Sequence, residues 1–202
     1  MGEGWQLFKI VGIPLRIQPT WLFAVAIFTT LFQPRYAATI EPVALSWGLA
    51  LFTTLLLFTS VLLHELGHAL MAIREGVKVL SITLFHLGGI ARVEKECPTA
   101  MGNLRIAAAG PLVSLTLALG MLLGAAALAT QQPQLTVLLT QVGLLNLMLG
   151  LFNLLPGLPL DGGLILKALV WQVSGSKKRG VEVASASGRV LSTLMIVMGG
   201  VL

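Results

Sequence analysis

Polar positions along this chain are sparse and fall in blocks. Between Pro42 and Leu63 there is no Asp, Glu, Lys, Arg or His, an apolar run long enough to cross a bilayer as a helix. The run does not stop at a charged loop. It meets "VLLHELGHAL" (61–70), where His64, Glu65 and His68 interrupt the apolar pattern, and ends near Arg74, Glu75 and Gly76. At about 1.5 Å per residue such a helix crosses the hydrocarbon layer with a cytosolic extension. Ionisable side chains inside a span are costly, so a helix that carries three has a use for them.

The same pattern divides the rest of the chain. The stretch "GWQLFKIVGIPLRIQPTW" mixes Lys9 and Arg16 with apolar and turn residues, and residues 1–20 read as an interfacial segment. A first span covers 21–32 with flanking residues, and the second covers 43–73. Next, "VKVLSITLFHLGGIARVEKECP" is rich in Val, Ile, Thr and Phe around Gly88 and Gly89, which predicts two short strands, 77–85 and 89–95. From Ile106 to Leu160 there is no charged residue, and "TQQPQ" splits this stretch. The third span is thus 103–129. The fourth runs from 135 to 155, is interrupted by "NLLPGLPLDGG", and continues through "LILKALVWQV"; a fifth starts near Val183. The expected fold is an α-helical polytopic membrane protein of about five spans with a short β-hairpin at the cytosolic membrane side, residues 21–202 forming one transmembrane domain. Only 13 uncharged residues follow Arg189, which is short for a span and predicts a longer natural chain.

Composition sharpens this picture. With 56% hydrophobic and 10% charged residues, the chain is far from an ordinary soluble domain, and its first partner is the lipid bilayer. The net charge of +5 calls for no nucleic-acid partner, because Lys and Arg beside spans set topology. Alternating spans collect 12 of the 13 Lys and Arg on one side and leave Arg35 alone on the other. The positive-inside rule then makes the amino terminus, the strands and the Lys177-Lys178-Arg179 loop cytosolic. Cys97 is the sole cysteine; it excludes an internal disulfide and reads as a free thiol in a loop.

On a helix, residues four apart share a face, so His64 and His68 can direct both rings at one ion while Glu65 lies beside them as a base. Catalytic zinc takes three protein ligands, and two histidines leave one missing. The third should be equally out of place. Asp161 is the one acid between Glu96 and Glu182. It follows Pro156 and Pro159, which break the helical ladder, and precedes Gly162 and Gly163, which permit close approach. His86, Glu75 and Glu94 are nearer in sequence, but each lies in a segment that reaches cytosolic water. A transporter or metal-permeation protein also uses broken helices and buried acids, but such a site needs ligands and no adjacent base.

These motifs resemble a known family. "HELGH" in one membrane helix, "GGIARV" in a strand segment, "AAAGPLVS" opening the next helix and "NLLPGLPLDGG" in the fourth are similar to the site-2 proteases, intramembrane zinc metalloproteases. "GIPLRIQPTW" resembles their prokaryotic branch, which often carries a further span and paired cystathionine-β-synthase-type domains. The resemblance implies a multi-pass protein of a prokaryotic cell membrane that hydrolyses peptide bonds in or near the transmembrane segments of other proteins. It implies one zinc ion held by His64, His68 and Asp161, with Glu65 moving the proton from water to the leaving amine. Asn153 matches the family's asparagine facing the site, where its amide could hold the substrate backbone or the oxyanion. An unwound substrate could pair on the edge of the strand segment, with Gly88 and Gly89 allowing close approach. His86 departs from the apolar or proline residue expected at its position.

The charge asymmetry carries a direct test. Cysteines introduced as Glu75→Cys and Lys178→Cys should react with an impermeant reagent from the cytosolic side only, and preferential labelling from the outside would reverse the orientation.

Overall fold

The computed structural model describes residues 4–38, 40–86 and 88–199; the first three residues of the 1–20 segment and the last three of the chain lie outside them. The chain runs β1 (Trp5–Ile10), β2 (Ile13–Ile17), α1 (Thr20–Ala37), α2 (Val43–Arg74), β3 (Val79–Phe85), β4 (Gly88–Val93), α3 (Ala100–Leu128), α4 (Pro133–Asn153), α5 (Asp161–Ser174) and α6 (Lys177–Gly199). Four helices, α2, α3, α4 and α6, are long and apolar enough to cross a membrane. They match four of the five expected spans; α1, whose last turns carry Gln33, Pro34 and Arg35, lies where the first was expected but is less apolar than these four. This is an integral membrane protein.

Helix α2 is the axis of the bundle. It is 32 residues long, about 48 Å at the helical rise. Ser46, Thr53, Thr54, Ser60 and His64 are all buried on it, and neighbouring helices answer them in kind. The Gln33 amide donates to Ser46 at 3.1 Å, Tyr36 and Thr53 share a 2.6 Å hydrogen bond, Thr29 donates to Thr54 at 3.2 Å, and the Asn146 amide donates to Ser60 at 2.9 Å. Lipid cannot satisfy such groups, so these bonds also set which helices flank α2.

The sheet is larger than the expected hairpin. β3 and β4 pair antiparallel, as the strand composition predicts, but β2 adds to β3 in parallel and β1 closes the order β1-β2-β3-β4. The segment 1–20 therefore supplies half of the sheet's strands. Ile13, Leu15, Ile82 and Leu84 form one apolar face that packs on Ala69, Leu62 and Leu66 of α2. That packing grips the turns of α2 that carry the histidines. β4 is left as an edge.

The fourth span is broken. α4 ends at Asn153, and α5 restarts at Asp161. α6 supports the segment between them: the Leu158 N–H donates to the Ala184 carbonyl at 3.3 Å, and the Ser187 hydroxyl donates to the Pro156 carbonyl. Lys167 in the middle of α5 and Lys177 at the start of α6 both meet Glu96 in the loop before α3. Burial opposes the charge of Glu96, but the two ammonium groups outweigh it and hold the carboxyl below its usual range.

A lowered carboxylate pKa stabilises the fold above the ordinary value of about 4.3, and the gain is lost as pH falls through the lowered folded value. Glu96→Gln should cost about 0.5–1 kcal/mol near neutrality, a figure already reduced for the solvent exposure of the side chain. The gap between wild type and variant should close below about pH 4 in thermal unfolding in detergent. A gap that stays constant down to pH 3 would contradict this.

Candidate metal centre

His64 and His68 lie one helical turn apart on α2, and Asp161 is the first residue of α5. A carboxylate suits that place, because the first turn of a helix presents unpaired N–H groups and a positive dipole end. Gly162 and Gly163 let the start of α5 fold against the preceding segment: a Cβ on either would collide with backbone at Leu154 or Gly157. His64 Nε2 lies 3.1 Å from Asp161 Oδ2, His68 Nε2 lies 3.3 Å from the same oxygen, and the two Nε2 atoms are 3.2 Å apart. Ligand atoms about 2.0–2.1 Å from a tetrahedral zinc ion are about 3.3–3.4 Å from one another. The triangle fits zinc.

Hydrogen bonding on the far side of the rings supports the same fit. His68 Nδ1 donates to the Ile106 carbonyl oxygen at 2.7 Å. A carbonyl can only accept, so in a neutral His68 ring Nε2 presents its lone pair to Asp161 Oδ2, which also only accepts. A cation between two facing acceptors removes the conflict. The nitrogen, nitrogen and carboxylate set is the one zinc prefers.

Helix α3 makes the close approach possible. A Cβ at Gly110 would overlap the rings of both histidines, and one at Gly67 would press against the Ala109 carbonyl at 3.0 Å and the Val113 side chain. Glu65 stands outside the triangle, its Oε2 accepting the Ala91 N–H of β4 at 3.0 Å. Gly89 gives it room, since a Cβ there would lie 2.6 Å from Glu65 Cγ. Gly88 has φ +141°, a backbone conformation that L side chains rarely adopt. The triangle, Glu65, Gly88, Gly89 and Ala91 line one cavity of about 470 Å³, with Asn153 on its wall. One Asn153 amide hydrogen goes to the Leu149 carbonyl at 2.9 Å.

The other candidates for third ligand are elsewhere. Glu75 pairs with Arg105 at 3.0 Å, Glu94 pairs with Lys78 at 3.3 Å, and His86 is exposed beside the Phe85 ring. Among the described residues, His64, His68 and Asp161 are the group of metal-ligating side chains that converges.

Comparison with known proteins identifies the family. The sequence pattern of peptidase family M50 matches residues 52–135 and 125–198. The chain belongs to this family. It is 40% identical over 200 residues to a Synechocystis protein named as a zinc metalloprotease, covering 98% of this chain and 52% of that one. It is 38% identical over 198 residues to a zinc metalloprotease of Methanocaldococcus jannaschii, covering 96% and 53%. The fold resembles the solved site-2 protease from M. jannaschii with a TM-score of 0.66 at 33% identity, over 98% of this chain and 85% of that one. The chain spans about half the length of the curated relatives it matches.

For this M50 chain, sequence reasoning missed the roles of α3. Gly110 and Ser114 both sit in "AAAGPLVS", and the Ile106 carbonyl lies one turn before them. A glycine or serine in a membrane helix has many uses, and a backbone carbonyl has no sequence signal.

The close fit of α3 yields a prediction. Alanine is favoured over glycine in helix interiors by about 1 kcal/mol, so Gly110→Ala should not weaken α3 itself. Its methyl group would occupy the space of the two rings, and metal analysis of the purified variant should find zinc well below stoichiometric. A full complement of zinc would show that the rings have room to move.

Proposed function

We propose that this chain is an intramembrane zinc metalloprotease that cleaves peptide bonds in or near transmembrane segments of membrane-protein substrates, as in regulated intramembrane proteolysis. The observation that carries the reading is the converging triangle of His64, His68 and Asp161, buried in a membrane bundle, with the Glu65 carboxylate beside it and outside it. A transport or structural metal site has no need of that carboxylate.

In this reading His64, His68 and Asp161 hold one zinc ion. Zinc, when bound, supplies Lewis-acid activation of water and of the peptide carbonyl. Glu65 takes the proton from the attacking water and returns it to the leaving amine. The Ala91 N–H holds one of its oxygens, which leaves the carboxylate oriented before a substrate arrives. Asn153, on the cavity wall, binds the substrate backbone or the oxyanion; its bond to Leu149 orients the amide.

A substrate helix must unwind before its peptide bonds are accessible, and unwinding in lipid strands its backbone groups. β4 is the last strand of its sheet, and it borders the cavity through Gly88, Gly89 and Ala91. An unwound substrate paired along that edge has its main-chain groups satisfied next to the metal. With the basic side inward, the strands, the cavity mouth near Lys95 and Glu96, and the amino terminus are cytosolic.

The roles separate by substitution. Glu65→Gln should abolish cleavage of a single-span substrate in detergent, by at least about 100-fold, while retaining zinc. Asp161→Ala should lose zinc and activity together, and His86→Ala should keep both. Full activity in the Glu65 variant, or loss of zinc from the His86 variant with retention in the Asp161 variant, would overturn the assignment.

A further inference from the structure

Three positions on α3 face the two histidines of α2 in register. Ile106, Gly110 and Ser114 are four residues apart, so they stack on one face of the helix. Ile106 takes the Nδ1 hydrogen of His68, Gly110 leaves space for both rings, and Ser114 Oγ lies 2.9 Å from Nδ1 of His64. His64 is 3% exposed and Ser114 is fully buried. No lipid or bulk water competes for this hydrogen bond.

We infer that Ser114 is the positioning residue of His64, an inference that rests on the zinc reading above. The Ser114 hydroxyl accepts the Nδ1 hydrogen, which leaves the lone pair on Nε2, the atom that faces Asp161 and His68. It also fixes the plane of the ring, because the bond is directional and crosses between two packed helices. The two histidines are held differently. The backbone oxygen at Ile106 cannot be removed by any side-chain substitution and accepts only, whereas a hydroxyl accepts or donates. Zinc affinity therefore depends on the residue type at 114 and not at 106. Without the hydroxyl, a buried Nδ1–H has no acceptor, and the ring gains freedom to rotate or to carry its hydrogen on Nε2, the tautomer that cannot bind metal through Nε2.

Bond and bulk are distinguished by comparing Thr and Val at this position, which have the same size and differ in the hydroxyl. Zinc affinity is measured on purified protein in detergent by competition with a chelating dye, so the result does not depend on proteolysis. Ser114→Ala and Ser114→Val should bind zinc about 10–100-fold more weakly than wild type, and Ser114→Thr should stay within a few-fold of it. The visible spectrum of the cobalt-loaded protein should change in the Ala and Val variants and not in the Thr variant. Wild-type affinity in Ser114→Ala, or equal weakening by Thr and Val, would overturn the inference. His64→Ala is the control: if it loses zinc while Ser114→Ala keeps it, only the role of Ser114 fails, and if it keeps zinc, the ligand reading itself fails.

Discussion

A helix carbonyl has no hydrogen to give. In a neutral His68 ring the Ile106 oxygen therefore determines which nitrogen carries the proton, and the opposite nitrogen points its lone pair at a carboxylate oxygen 3.3 Å away. In water this opposition would be relieved by solvent. Inside a membrane bundle the charge and the lone pairs must be satisfied by the protein or by an ion. The converging His64, His68 and Asp161 form a group that a cation would satisfy, and the neighbouring elements keep the three together.

Each neighbour contributes one constraint. The sheet packs its apolar face on the turns of α2 that hold the histidines, so those turns cannot roll without exposing Ile82 and Leu84. Helix α3 approaches α2 closely at Gly67 and Gly110. α6 bonds to the backbone of the broken span through Ala184 and Ser187, and α5 is tied at its middle through Lys167 to Glu96. A break in a membrane helix is tolerated only where other protein satisfies it. Here the break brings Asp161 against His64 and His68.

The parts legible from sequence are those in which a single residue type breaks a strong pattern. His64, Glu65 and His68 in an apolar run and Asp161 between prolines and glycines are conspicuous because a span has no ordinary use for them. The spans were legible for the same reason. The strands at Trp5–Ile10 and Ile13–Ile17 were not. Lys9 and Arg16 among prolines and apolar residues resemble an interfacial segment, and the alternation of Ile13, Leu15 and Ile17 is too short to distinguish a strand by itself. Its partner, β3, lies more than sixty residues along the chain, and pairing at that distance leaves no local mark. Ser114 and Gly110 were hidden differently. Their type is common in membrane helices, and only the geometry opposite the histidines gives them a role.

The central claim is that zinc is held by two imidazoles and one carboxylate within the bundle. X-ray absorption at the zinc edge of the purified protein measures this most directly, because nitrogen or oxygen and sulfur neighbours scatter differently. The account predicts a first shell of nitrogen and oxygen at about 2.0–2.2 Å, with an imidazole signature for two rings and no sulfur. A sulfur neighbour at about 2.3 Å would assign Cys97, the sole cysteine, to the metal and contradict the account.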